Sequence, residues 1–138
     1  MRGERVAAGP PIAVEASIEL SADARSAGRA RAFVAQFCAS VGLNGEIRRT
    51  ASLLVSELVT NAIVHGRSGA TVDAGLAPGV LRVAVTDDSP APLPAVDLAP
   101  RTSAEGGRGL LIVSLLASRW GVMSTPAGGK VVWFELDA

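Results

Sequence analysis

Three polar side chains recur at four-residue steps in the segment SELVTNAIVHG, residues 56–66. They are Glu57, Asn61 and His65, and most residues between them are apolar. Four residues advance an α-helix by roughly 400°, so these side chains are expected to share one stripe of a helix. A carboxylate one turn from an amide oxygen suits a proton acceptor beside a hydrated Mg²⁺, which uses few protein ligands. A solvated helix face is the alternative, and for His65 we favour a structural role at the helix end.

A second candidate is Asp87, the last residue of the strand-like segment VLRVAVTD. Alternation along a strand places three aliphatic residues on the same face as Asp87: Leu81, Val83 and Val85. Asp88 is then expected to meet water or to cap the following turn. A carboxylate on an apolar face needs a strong hydrogen-bond donor, and the exocyclic amino group of adenine would be one. The alternative is that Asp87 only organises the turn.

The segment EGGRGLLIV, residues 105–113, places glycines directly before a helical pattern. Glycines let backbone N–H groups approach phosphates, and a helix N-terminus favours anions. No strand precedes the segment, so it is not a dinucleotide-binding fingerprint, and a simple loop hinge remains an equal alternative. With one His and one Cys, the chain cannot build a zinc cluster of the usual type, and it contains no G-x-S-x-G motif.

Composition indicates one globular domain, because 49% of the 138 residues are hydrophobic and the net charge is zero. We predict a flexible leader at residues 1–11 and a single domain at 12–138. Zero net charge gives no indication of direct binding to nucleic acid or to an anionic membrane. No segment approaches the ~20 apolar residues of a membrane span, and there is no signal-peptide pattern. The single cysteine, Cys38, fits a cytoplasmic protein.

Hydrophobic periodicity predicts the element order βααββ-loop-αββ. The predicted elements are a strand at 12–20, a helix capped by Ser21, a longer helix from Asn44 to Gly66, strands at 70–77 and 80–87, a helix at 110–120, and a closing hairpin across 127–129. This order indicates an α/β fold of the α+β type, a two-layer sandwich with helices on one face of a mostly antiparallel sheet.

Three segments, in this order along the chain, resemble the ATP-site motifs of the histidine-kinase-like (Bergerat-fold, GHKL) ATPases. ELVTNAIVH resembles the N-box, VTDDSPAP the first glycine box, and GGRGLLIV the second. SELVTNAIVHG and GGRGLLIVSLLASRWGV are also similar to the small bacterial anti-sigma-factor serine kinases. The likeness extends from residue 12 to the C-terminus. It implies a Bergerat ATP-binding fold and an ATP-dependent protein serine/threonine kinase that is also an anti-sigma factor.

The resemblance also implies roles for individual residues. Asn61 would ligate the Mg²⁺ that bridges the ATP phosphates, and Glu57 would be the general base. Asp87 would accept a hydrogen bond from the adenine amino group and disfavour guanine. Three residues of the second glycine box would border the phosphates: Gly107, Arg108 and Gly109.

The sequence departs from the family pattern at two positions. Ser89-Pro90 stands where many relatives have a glycine-containing turn, and Lys130 stands where a small hydroxyl residue is expected in the third glycine box, AGGKVVWF. Relatives often use an arginine of the first helix near the phosphates or the partner. Three residues are candidates for that role, and the sequence does not distinguish them: Arg25, Arg29 and Arg31.

The partners that the resemblance implies are a sigma factor and an anti-sigma factor antagonist phosphorylated on Ser or Thr, and a homodimer is compatible with it. Two other functions remain open. One is a nucleotide-dependent protein-binding module without useful kinase activity. The other is a histidine-kinase-type catalytic domain acting in trans, which is disfavoured because the chain has no helix pair with a phospho-acceptor His. The carboxylate of Glu57 favours the kinase.

Overall fold

Eight helices and strands form the described part of the chain, which in this computed structural model comprises residues 13–64, 68–88 and 107–138. In chain order they are β1 (Val14–Leu20), α1 (Ser26–Ser40), α2 (Gly45–Val64), β2 (Ala70–Ala77), β3 (Val80–Asp87), α3 (Gly107–Leu116), β4 (Arg119–Ser124) and β5 (Lys130–Asp137). This is the predicted order of elements, and the predicted α+β fold class is confirmed.

The strands form one five-stranded sheet in the order β1-β2-β3-β5-β4. Every pairing among the described strands is antiparallel. Both predicted hairpins are present. The β2–β3 turn contains Gly79 at φ +76°, and the β4–β5 turn contains Gly128 at φ +96°. L side chains rarely adopt such positive φ angles, so glycine is the residue that fits both turns.

The helices cover one face of the sheet, and the core lies between the two layers. Residues of β3 and β5 that are paired in register point to the same side. The buried side chains on the helix side of these strands are Leu81, Val83, Val85, Val132, Phe134 and Leu136. The facing side of α2 contributes Ala51, Leu54, Val55, Leu58 and Val59. The predicted two-layer sandwich and the predicted inner face of α2 are therefore confirmed, with Ile47 and Ile63 partly buried at its ends.

The start of α1 differs from the prediction. The helix begins at Ser26, and Arg25 occupies the N-cap position without a capping hydrogen bond from its side chain. The Ser26 hydroxyl donates to the Ser21 carbonyl at 2.7 Å, and the Arg25 N–H donates to Asp23 Oδ1 at 2.8 Å. These local bonds hold residues 21–25 in a turn. The prediction that Ser21 caps the helix is therefore wrong.

The 20-residue helix α2 begins as predicted. Asn44 accepts a hydrogen bond from the Ile47 N–H on its Oδ1 at 2.9 Å, which is the expected N-cap arrangement. The predicted end of this helix at Gly66 lies outside the described residues. None of the helices in the described ranges is both long and apolar enough to cross a membrane.

The segment at 107–124 also differs from the prediction. The helix α3 spans Gly107–Leu116, whereas the pattern predicted a helix at 110–120. The Ser118 N–H donates to the Glu135 carbonyl at 2.8 Å, and the chain continues into β4 from Arg119. Pairing with β5 thus overrides the helical pattern of the last residues. Trp120 lies in β4 opposite Phe134.

A charged cluster joins three strands on the sheet face opposite the helices. Glu135 of β5 is only 2% exposed, and it accepts hydrogen bonds from Nε of Arg82 and Nε of Arg119, each at 2.6 Å. Arg119 also contacts Asp137 at 2.6 Å. The carboxylates of Asp137 and Glu135 raise the pKa of Arg119 above its ordinary value. The cluster therefore holds β3, β5 and β4 together across the sheet.

Candidate functional site

The polar stripe of α2 does not lie on a solvated face. Asn61 is 6% exposed, and its Nδ2 has no hydrogen-bond partner among the described residues. Leaving a buried amide group unpaired costs about 1–3 kcal/mol, so an unpartnered amide marks a position where a ligand group can bind. Glu57 lies one turn earlier and is partly buried. His65, the third member of the stripe, lies outside the described residues.

The first turn of α3 lies directly against this stripe. A Cβ added at Gly109 would be 3.0 Å from Glu57 Oε1 and 3.5 Å from both Oδ1 and Nδ2 of Asn61. The structure therefore brings together Glu57, Asn61 and Gly109. Gly107 is the first residue of α3, so the free N–H groups and the positive end of the helix dipole belong to the same turn as Gly109.

Asp87 lies at the end of β3, on the sheet face that α2 covers. It is 4% exposed, whereas Asp88 is exposed, as the alternation predicted. A buried carboxylate needs a strong donor. Here that donor is Lys130, whose Nζ lies 3.2 Å from Asp87 Oδ1. Both side chains are nearly buried, and the two residues are paired in register across β3 and β5.

Gly129 allows the β4–β5 turn to approach the end of β3. A Cβ at this position would overlap the carbonyl oxygen of Asp87 and would lie 2.9 Å from the Cα of Asp88. The Gly129 N–H donates to Thr125 Oγ1 at 2.9 Å, which holds the turn. The turn therefore places Lys130 beside Asp87.

Sequence reasoning noted Lys130 as a departure but missed its pairing with Asp87. Alternation along β5 puts Lys130 on the same face as three buried apolar residues, Val132, Phe134 and Leu136. A cation that shares an apolar strand face needs an anion there. That signal was available in the sequence, although the register that selects Asp87 was not.

The three arginine candidates at the start of α1 are exposed. Arg25 donates to Asp23 through Nε and Nη2, and these bonds lower the pKa of Asp23 to about 2. Arg29 and Arg31 are exposed on α1. Arg108 belongs to α3, but its side chain lies outside the description, as do Ser89 and Pro90 entirely. Within the described ranges, no three His, Cys, Asp or Glu side chains cluster to hold a metal ion.

The comparison with protein families decides the classification. The model of the histidine kinase-like ATPase domain matches residues 20–136, most of the chain. The chain belongs to this family. Membership of the histidine kinase-like ATPase family implies ATP binding, and the family assignment made from the three sequence motifs is confirmed.

A solved structure supports the fold of this histidine kinase-like ATPase domain. The chain is similar to the crystal structure of the RsbU and RsbW domains of Rv1364c from Mycobacterium tuberculosis, with a TM-score of 0.69 and 24% sequence identity. The match covers 91% of this chain and 32% of that chain, so this domain spans about a third of its length. No curated protein matches the sequence.

The residues at the α2–α3 contact fit the ATP that the family implies. The Asn61 amide offers one hard oxygen for a cation and an unpartnered NH₂ for an anionic oxygen. Gly109 leaves open the space that a Cβ would fill beside Glu57 and Asn61. The start of α3 adds backbone donors suited to phosphate. The site thus contains a ligand for a cation, a carboxylate, and N–H groups that can donate hydrogen bonds to phosphate.

Proposed function

We propose that this histidine kinase-like ATPase domain is a Mg-ATP-dependent protein serine/threonine kinase that also acts as an anti-sigma factor. The observation that carries the proposal is the contact of Gly109 with both Glu57 and Asn61, because it joins a carboxylate and an amide to a helix N-terminus. The likeness of two sequence segments to the anti-sigma-factor serine kinases supports the choice of substrate and partner.

In this proposal the binding residues divide between the two ends of the nucleotide. Asn61 ligates Mg²⁺ through its amide oxygen, and three residues at the start of α3 border the phosphates: Gly107, Arg108 and Gly109. Mg²⁺ would supply charge neutralisation of the phosphate oxygens. Asp87 accepts a hydrogen bond from the base.

Glu57 has the catalytic role in the proposed reaction. The hydroxyl oxygen of a substrate Ser or Thr forms a bond to the γ-phosphorus of ATP, and the bond to the β–γ bridging oxygen breaks to release ADP. Glu57 accepts the proton that the hydroxyl loses. Such general-base assistance is typically worth ~10²–10⁴ in rate, and positioning supplies much of the remainder.

The proposed partners are proteins. A sigma factor would bind a surface of the domain, and a small anti-sigma factor antagonist would present the Ser or Thr that is phosphorylated. The proposed location is the cytoplasm, where a sigma factor acts, and a homodimer is compatible with this function.

Binding and transfer are tested in separate experiments. Calorimetric titration of ATP with and without Mg²⁺ is expected to show Mg²⁺-dependent binding that Asn61→Ala reduces. Radiolabelled ATP and candidate antagonists are then expected to yield an acid-stable phosphoprotein. Glu57→Gln should reduce transfer by ~10²-fold or more while preserving ATP binding. Glu46→Gln is the matched control, because Glu46 is an exposed carboxylate on the first turn of the same helix.

The possible failures have different meanings. A wild-type domain that binds no ATP would refute the nucleotide site. ATP binding and partner binding without transfer would indicate a binding module. An acid-labile phosphoprotein would indicate phosphohistidine and therefore a histidine-kinase-type domain acting in trans.

A further inference from the structure

Lys130 is the only lysine in the chain, and the other twelve basic residues are arginines. It is not a surface residue, because its side chain is 11% exposed and its Nζ lies 3.2 Å from Asp87 Oδ1. Lysine and arginine are not equivalent here. An ammonium is a compact charge with three rotatable donors on a flexible stem, whereas a guanidinium is a rigid planar fork.

We propose that Lys130 determines purine specificity: with Asp87 it forms a donor–acceptor pair that reads the edge of the base and admits guanine as well as adenine. This inference rests on the proposed function, since it concerns the same nucleotide site. It also changes the expectation, drawn from the family resemblance, that Asp87 disfavours guanine.

The two purines present different hydrogen-bonding edges. Adenine presents its N6–H donor beside the N1 acceptor, and guanine presents its O6 acceptor beside the N1–H donor. A carboxylate alone accepts only, so it binds the adenine amino group and is repelled by guanine O6. That expectation assumes that no cation lies next to the carboxylate. In this structure Lys130 lies there.

Both purines are complementary to the pair. With adenine, Asp87 accepts from N6–H and Lys130 donates to N1. With guanine, Lys130 donates to O6 and Asp87 accepts from N1–H. The buried ammonium keeps an acceptor and the buried carboxylate keeps a donor in either case, so neither charge is left unpaired.

The sheet and the neighbouring turn hold the pair in a fixed position. Asp87 and Lys130 are register partners on adjacent strands, so the sheet holds their backbones in a fixed relation. Gly129 lets the preceding turn close on the carbonyl of Asp87, which fixes the root of the Lys130 side chain. When guanine replaces adenine, Asp87 and Lys130 exchange the base positions that they contact, so the base shifts along the pair and the flexible stem of Lys130 adjusts.

The first test uses the wild-type domain and Mg²⁺ complexes of ATP, GTP and ITP. Inosine shares O6 and N1–H with guanine but lacks the 2-amino group. The expected dissociation constants for the three nucleotides lie within about tenfold of each other. Binding of GTP and ITP that is ~100-fold or more weaker than that of ATP would overturn the inference.

Two variants of Lys130 test the residue itself. Lys130→Thr and Lys130→Met both remove the ammonium, and Met leaves no donor at all. Each is expected to weaken the binding of GTP and ITP at least ~100-fold relative to that of ATP. Met fills the space of the lysine stem and so avoids the cavity that Thr would leave, and circular dichroism checks that both variants are folded. Val131→Thr changes the neighbouring residue on the opposite face of β5 and should leave the ratio unchanged. An unchanged ratio in a folded Lys130 variant, or an equal change in Val131→Thr, would contradict the proposal.

The single lysine allows a direct observation without mutation. Protein labelled with ¹⁵N at the lysine ε position has one side-chain ammonium signal, which is expected to shift on binding of either ATP or GTP. If a nucleotide binds but this signal does not shift, the inference about Lys130 is overturned and the proposed function is not. Absence of binding by all three nucleotides would overturn the proposed function as well, so the two failures are distinguishable.

Discussion

Replacing Gly109 by alanine should weaken ATP binding without lowering the stability of the ligand-free domain. The new Cβ would lie 3.0 Å from Glu57 Oε1 and 3.5 Å from both polar atoms of the Asn61 side chain. It would therefore occupy the space where the proposed site needs a cation and phosphate oxygens. We expect ATP affinity to fall at least ~30-fold, which corresponds to about 2 kcal/mol.

The same substitution should not destabilise the free domain. Gly109 lies in the first turn of α3 and does not have a positive φ, so alanine fits its backbone. Alanine in place of a helical glycine stabilises by about 0.4–1 kcal/mol. Against this, Glu57 Oε1 must move by a few tenths of an ångström, which is inexpensive for the end of a flexible side chain. The melting temperature of the ligand-free variant should be unchanged or a few degrees higher.

Gly28→Ala provides the matched control. Gly28 is the third residue of α1, as Gly109 is of α3. Its added Cβ would contact the Arg31 Nη2 at 3.3 Å, the end of an exposed side chain. This variant should show a similar stability gain with no change in ATP affinity. Calorimetric ATP titration and thermal unfolding without ligand provide the two measurements.

Two results would refute this reasoning. If Gly109→Ala bound ATP with wild-type affinity, the phosphates would not lie at the contact of α2 with α3. If the ligand-free variant lost more than about 2 kcal/mol, the Glu57 carboxylate would be unable to move, and reduced binding would reflect disrupted folding rather than a blocked site.

Three further predictions concern stability. Asn61→Leu should raise the free energy of unfolding by about 1 kcal/mol in urea, because it removes a buried amide whose Nδ2 has no partner among the described residues; a clear loss would argue against this interpretation. Asn44→Ala should lower it by about 1 kcal/mol, since the Ile47 N–H loses its cap; an unchanged urea midpoint would contradict this. Hydrogen bonds from Arg25 lower the pKa of Asp23 from 3.8 to about 2. The stabilisation of the folded state by ionised Asp23 is therefore complete above pH 3.8 and is lost as the pH falls through 2. The melting temperature of Asp23→Asn should therefore fall less between pH 3.8 and pH 2 than that of the wild type, and high salt should reduce this difference.

The hydrophobic periodicities of strands and helices correctly predicted which segments form the elements that pack around the core. The β3 alternation correctly placed Asp87 among buried aliphatic residues, and the Asn44 cap correctly began α2. These patterns are local, because the period of a strand or helix is set by neighbouring residues. The predictions were wrong where non-local contacts decide. β4 takes Arg119 and Trp120 from the predicted helix because both residues pair with β5.

The side-chain partners within the site depended on register and on the packing of separate helices. The spacing of Glu57 and Asn61 predicted their common stripe, but it did not reveal that Gly109 would approach both of them. The pairing of Asp87 with Lys130 requires that β3 and β5 be neighbours in one register, and a shift by a single residue would separate the two charges onto opposite faces. Sequence patterns therefore predicted which residues are polar within apolar surroundings, and the three-dimensional structure identified their partners.

The polar groups of the site owe their positions to apolar neighbours in the chain. Leu58 and Ala62 follow Glu57 and Asn61, and both are almost fully buried in the hydrophobic core. Leu110 follows Gly109, and it is 1% exposed in the same core. Because close-packed side chains of this kind resist displacement, the α2–α3 distance is set by the core rather than by the polar groups themselves. The Asn61 Nδ2, which has no partner in the described part of the chain, is then held at a fixed position, and the stability of the core offsets the cost of a polar group held ready for a ligand.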